Sequence, residues 1–138
     1  MFAIHPYLQF DGNAREAFEC YAKWLGADLR VFTYGDSPMP GPPEAKDRVI
    51  HARLLRNGAA ILMASDFPLG MEFRRGHGCA VSVACENADE VDRLFANFSD
   101  GATISMPPQD TFWNARFAML TDRFGVEWMF NFEKVPMV

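Results

Sequence analysis

One stretch of this chain is written twice. Asn13-Ala14-Arg15-Glu16-Ala17 returns 74 positions later as Asn87-Ala88-Asp89-Glu90-Val91. In each copy an Asn stands where it can cap a helix, and a Glu three positions on can reach back to the cap, the pattern of a capping box. The apolar positions behind it also match, Tyr21 with Phe95 and Trp24 with Phe98. Ala17, Phe18, Tyr21, Trp24 and Leu25 fall at helical spacing on one face. Both helices are expected to stop near a glycine, Gly26 and Gly101. A helix recurring at a fixed offset means two halves built to one plan.

The strands around the helices complete that plan. Ahead of them lie the alternating runs Ile4 to Phe10 and Cys79 to Cys85. Three strand-like runs follow each helix: Leu29 to Tyr34, Val49 to Leu55 and Ala59 to Ser65 in the first copy, and Thr103 to Met106, Phe112 to Leu120 and Val126 to Phe132 in the second. Asn57-Gly58 is a two-residue hairpin turn, and Asp122 to Gly125 turns the chain in the second copy. The Pro-rich segment from Pro38 to Pro43 is a loop, because so many prolines cannot join a ladder. The expected architecture is α+β, βαβββ twice, in one domain over 1–138. One module covers 1–66 and the other 77–134, with a connector between them.

Parity assigns the faces. Ile4, Pro6, Leu8 and Phe10 form one side of the first strand and should pack under the helix, leaving His5, Tyr7 and Gln9 on the other. In the last strand Trp128, Phe130 and Phe132 share a side, and Glu127, Met129 and Asn131 share the opposite one. A sheet with one side under a helix and a mixed polar and aromatic second side is half core and half pocket wall, provided that it curves into a cup.

Composition removes whole classes of partner. The net charge is −5 and the basic residues are scattered, with Arg74-Arg75 the only adjacent pair, so nucleic acid and acidic membrane surfaces are disfavoured. The longest apolar runs, such as 59–64, fall far short of the roughly 20 residues of a membrane span. The N-terminus enters a strand directly without the pattern of a signal peptide, which reads as cytoplasmic. Cys79 and Cys85 would be about 20 Å apart on an extended strand, too far to bridge, so buried reduced thiols are expected. Thirteen Phe, three Trp and three Tyr exceed what a core of this size requires, and some are expected to line a cavity.

With Pro6-Tyr7-Leu8, Ile50-His51-Ala52, Leu62-Met63-Ala64-Ser65-Asp66, Gln109-Asp110-Thr111-Phe112-Trp113 and the run Thr121 to Asn131, the chain resembles the vicinal oxygen chelate superfamily. That superfamily includes glyoxalase I, extradiol dioxygenases and bleomycin-resistance proteins. Within it the chain looks like the PhnB-like branch, whose members often carry a demethylubiquinone methyltransferase label. The resemblance implies paired modules forming a glyoxalase-like open barrel or cup around a small-molecule ligand, and a homodimer. It also implies a divalent metal chelating two substrate oxygens, held by converging His and Glu ligands. Carried over position by position, the first ligand falls on His5. The others fall near Leu62 or Met63, near Ala80 and on Met129, none of them a hard-metal ligand, and a slide of the register brings only Glu127 or Asp66 nearby. No metal and no cofactor is therefore expected. A methyl donor is unsupported too, since Asp11-Gly12-Asn13 offers one glycine and the strand pattern is wrong for a doubly wound sheet.

His5 is the candidate base or lone ligand. The candidate ligand-binding residues are Tyr7, Gln9, His51, Met63, Phe112, Trp113, Phe117, Met129 and Asn131. Phe112 and Trp113, as strand neighbours, would point to opposite sides. His51 shares a strand face with Val49 and Arg53. Arg53 and Arg116 could meet an anionic ligand or be surface charges, with the surface reading favoured, and His77 reads as an exposed loop residue. Two functions follow. One is a metal-free small-molecule binding protein of the bleomycin-resistance type. The other is a vicinal oxygen chelate enzyme of the isomerase, lyase or dioxygenase kind, acting through His5 on a small oxygenated or aromatic substrate.

Overall fold

The computed structural model describes residues 1–38 and 41–134, so Met39 and Pro40 of the Pro-rich loop lie outside it. The chain divides into two compact units, Met1–Arg74 and Arg75–Val138. In the first, strand β1 (Tyr7–Phe10) leads into helix α1 (Ala14–Leu25), followed by β2 (Asp28–Thr33), β3 (Val49–Arg56) and β4 (Ala59–Asp66). The sheet order is β1-β4-β3-β2, with β1 parallel to β4 and the other pairs antiparallel. Asn57 and Gly58 turn the β3–β4 hairpin at φ of 52° and 77°, the left-handed conformation that an Asn-Gly turn supplies. Ala14, Ala17, Phe18 and Tyr21 bury one stripe of α1 against Phe10, Leu54 and Leu62 of the sheet. The Phe10 and Phe18 rings meet edge to face at 6.2 Å. The helix ends at Gly26 in the left-handed conformation, with Ala27 N–H donating to Ala22 O at 2.9 Å.

The second unit repeats the plan. Strand β5 (Val81–Ala84) precedes helix α2 (Ala88–Phe98), then β6 (Thr103–Asp110), β7 (Ala115–Thr121) and β8 (Glu127–Glu133), in the order β5-β8-β7-β6. Val91, Leu94, Phe95 and Phe98 are the buried face of α2. Phe98 packs on Trp128 at 4.5 Å and on Phe130 at 5.2 Å between ring centroids. Much of the aromatic surplus therefore fills the helix–sheet cores.

Several expectations are corrected. Ile4 is 86% exposed and Pro6 is exposed, because β1 begins only at Tyr7 and leaves the residues ahead of it without a helix to pack under. Strand β6 runs through Pro107 and Pro108 instead of stopping at Met106. It is an edge strand, where a missing N–H can face away from the ladder, and its register slips between Met106 and Gln109. Phe112, Trp113 and Asn114 form a turn before β7, with Asn114 at φ 64°, so Phe112 and Trp113 do not alternate across a strand. Val49 is buried while His51 and Arg53 are half-buried on the other side of the sheet. The pairing skips Ile50, and that bulge reverses the parity between Val49 and His51. Of the thiols, only Cys85 is buried; Cys20 is intermediate and Cys79 is exposed, and none of the three is in a disulfide.

The helix caps differ between copies. Asn87 accepts from Glu90 N–H at 2.8 Å, and Glu90 Oε1 accepts from Glu86 N–H at 3.1 Å. Asn13 makes no such bond. In its place Asp66, buried at the end of β4, accepts from Gly12 N–H at 2.9 Å and Ala14 N–H at 3.0 Å with Oδ1, and from Val49 N–H at 2.8 Å with Oδ2.

Candidate functional site

In each unit the helix covers one face of the sheet, and strand register decides which side chains share the other. In the first unit Tyr7, Met63, Arg53 and Arg30 lie side by side across β1, β4, β3 and β2. Beside that row Gln9 pairs with Ser65, and His51 with Phe32. The fold thus brings together four of the expected residues, Tyr7, Gln9, His51 and Met63, and adds the two arginines. The Tyr7 hydroxyl sits 3.2 Å from His51 Nδ1, with the rings tilted at 30°. Burial, helped by the nearby Arg53 guanidinium, holds the His51 pKa below its ordinary 6.5. Arg53 is half-buried, and its Nε has no hydrogen-bond partner among the described residues. His5 is half-buried, in the segment just before β1 and at the same parity as Tyr7 and Gln9.

In the second unit Ser82, Met129, Met119 and Met106 form one row, and Ala84, Asn131, Phe117 and Gln109 the next. This face gathers Met129, Asn131 and Phe117 from the expected set. Trp113 stands 5.9 Å from Phe117, and Phe112 lies edge-on to Trp113 at 5.0 Å while remaining 97% exposed. Asn131 Oδ1 is buried without a hydrogen-bond partner among the described residues. The result is a thioether and aromatic surface carrying one orphan acceptor, suited to an apolar body with a hydrogen-bond donor.

Arg30, Met106 and Met119 lie outside the set expected from the sequence, and Arg53 and Arg116 differ from the surface charges expected there. Arg116 is only partly exposed and is held by Asp92 of α2 at 2.9 Å and by Asp110 at 3.7 Å. Among the described residues Arg53 has no carboxylate partner. Alternation alone does not reveal this difference, because cross-strand neighbours follow from register.

A model of the Glyoxalase/Bleomycin resistance protein/Dioxygenase superfamily matches residues 3–130. The chain belongs to that superfamily. Protein YjdN of Escherichia coli (strain K12) is a relative of the chain, 30% identical over 142 residues and covering 95% of each chain. Among solved structures, protein PA1353 from Pseudomonas aeruginosa is 44% identical with a TM-score of 0.87, over 96% of this chain and 98% of that one. A PhnB protein from Bacillus cereus, described as a putative 3-demethylubiquinone-9 3-methyltransferase, is 27% identical with a TM-score of 0.76, over 95% and 99%. The two βαβββ modules are thus a glyoxalase-like fold, and the superfamily resemblance read from the residues holds, PhnB-like branch included.

The divalent ion of the superfamily's enzymes can be tested against the donors present. Beyond His5, the positions to which the resemblance assigns ligands carry Leu62 or Met63, Ala80 and Met129, and Leu62 is buried on the helix side. Of the two carboxylates near that set in sequence, Asp66 has both oxygens committed to backbone N–H groups, which leaves Glu127 as a single acidic side chain beside Met129. Among the described residues no three His, Cys, Asp or Glu side chains converge. Such a donor set does not fit a hard divalent ion. The Asp11-Gly12-Asn13 turn is also closed to an anionic cofactor, since Asp66 takes the Gly12 and Ala14 amides. Among the described residues no helix is long and apolar enough to cross a membrane.

Proposed function

We propose that this chain is a small-molecule binding protein of the glyoxalase/bleomycin-resistance type that works without the divalent ion of the superfamily's enzymes. The observation that carries this reading is that Met63 and Met129 stand on the helix-free faces of the two sheets, at or beside positions to which the superfamily resemblance assigns metal ligands. Thioethers are poor ligands for hard divalent ions and good contacts for polarisable, aromatic bodies. Phe117, Trp113 and Phe112 extend that character in the second module, and Tyr7, Gln9 and His51 add polar groups in the first. On each face, a few polar groups beside apolar contacts are what orient a small ligand. In this reading the protein acts as a homodimer, the assembly that the superfamily resemblance implies, in the cytoplasm, the compartment expected from the sequence.

A thermal-shift screen of the purified chain against aromatic metabolites, quinones and antibiotics, with and without divalent ions, tests the reading. A ligand that binds the native state raises the melting temperature, by an amount that grows with the logarithm of its concentration above the Kd. The expected result is a stabilising compound whose effect is unchanged by chelator. Stabilisation that appears only with an added divalent ion would favour the enzymatic alternative with His5 as ligand or base.

A further inference from the structure

Arg30 and Arg53 stand directly opposite each other in the antiparallel pair of β2 and β3, on the face that α1 does not cover. Residues so paired have Cβ atoms about 5 Å apart, and like charges there repel. Several other cations of this chain are matched: Arg48 with Asp11, Arg93 with Glu90, Arg116 with Asp92 and Arg123 with Asp100. Among the described residues neither Arg30 nor Arg53 has an ion pair. Asp28, two residues from Arg30 on the same face, makes none with either. Arg30 donates only to the neighbouring Leu29 O at 3.2 Å, and Arg53 Nε is buried with no acceptor. A buried donor without a partner forfeits its hydration for nothing, and a guanidinium in that state calls for an anionic acceptor. Such a pair is unexpected in a chain of net charge −5, where acidic partners are plentiful.

We propose that Arg30 and Arg53, with His51 and Tyr7 beside them, bind the oxyanion of a small ligand, a carboxylate or a phosphate-type group, on the helix-free face of the first sheet. The inference rests on the small-molecule reading above and specifies its ligand class. Arg53 supplies the planar fork that grips two oxygens at once, and Arg30 adds a second charge across the strand pair. His51 contributes as a neutral ring: in the tautomer whose Nδ1 accepts from the Tyr7 hydroxyl 3.2 Å away, Nε2 carries the proton and can donate to the anion. Met63, in the same row between Tyr7 and Arg53, offers an apolar contact for the body that carries the anion. Arg116 cannot play this part, since Asp92 and Asp110 already neutralise it.

The test is a titration of the full chain with benzoate, inorganic phosphate and neutral benzamide, observed at the Arg side-chain Nε–H resonances. Benzoate or phosphate should shift the Arg53 Nε–H signal saturably, with the planar and tetrahedral ions distinguishing the two sources, while benzamide leaves it in place. Arg53→Met and Arg30→Met should each weaken the anion at least about tenfold, the loss of one or more charge-assisted hydrogen bonds. Arg30 is exposed, so its variant reports on binding even if Arg53→Met impairs folding. The proposal is overturned if neither ion shifts the signal. It is equally overturned if a compound from the screen binds both variants as tightly as the parent, which leaves the small-molecule reading intact. If no compound binds at all, both readings fall.

Discussion

The indole Nε1–H of Trp128 donates to Asp122 Oδ2 at 2.8 Å, with both residues buried. The same carboxylate accepts from Phe124 N–H at 2.8 Å and Val126 N–H at 3.0 Å through Oδ1, so one side chain ties the β7–β8 turn to the core of the second module. Asp122→Ala strands these buried donors and should destabilise the protein by about 3 kcal/mol in urea unfolding. Asp122→Asn keeps one acceptor oxygen and should recover part of that loss. Equal losses for the two variants would mean that the turn does not depend on the carboxylate.

In the first module the corresponding anchor is Asp66, which takes over the capping role expected of Asn13. Asn87→Ala should cost about 1 kcal/mol, the usual effect of losing an N-cap side chain, and Asn13→Ala only a few tenths. Asp66→Ala removes three backbone hydrogen bonds at once and should cost more than both together. Chemical denaturation of the three variants checks the order. Equal losses at Asn13 and Asn87 would contradict the asymmetry.

His51 should titrate below 6.5 in the folded protein, because burial and Arg53 both disfavour its charged form. The unfolded chain then binds more protons between the two values. The stability linked to neutral His51 is whole above about pH 6.5 and declines as pH falls through the folded value. Histidine resonances followed by NMR give the midpoint, and Arg53→Met should move it upward. An unchanged midpoint in that variant would mean that Arg53 does not face the ring.

The three thiols should separate by reactivity. Burial, with Glu90 adding to it, pushes the Cys85 thiol up to about 11, which leaves almost no thiolate at neutral pH. Cys79 is exposed and should be alkylated in the native state, whereas Cys85 should react only on unfolding. Mass spectrometry of iodoacetamide-treated protein reads the difference. Native labelling of Cys85 at the rate of Cys79 would contradict the burial.

Most of the scaffold was legible because period and capping are local. The two helices follow from apolar spacing, the β3–β4 hairpin from Asn57-Gly58, and the two faces of β8 from strict alternation over Trp128 and Phe130. What was not legible depends on partners distant in sequence. Pro107 and Pro108 fit a strand only because that strand ends up at an edge. The bulge at Ile50, which turns His51 and Arg53 away from Val49, is invisible until β2 pairs with β3. Asp66 replaces Asn13 because β4 returns beside β1, and no pattern within the helix announces a cap 52 residues away. The candidate residues show the same limit. Parity placed Tyr7 with Gln9 and Met129 with Asn131, but only register placed Arg30 opposite Arg53.

Elemental analysis of the purified, undenatured protein is the most direct measurement, with zinc, nickel, manganese and iron quantified per chain. A binding protein with Met63 and Met129 at or beside the positions that the resemblance assigns to metal ligands should carry well under about a tenth of an ion per chain and should lose no ligand affinity to a chelator. A stoichiometric divalent ion, with binding abolished by His5→Ala and by chelation, would contradict it.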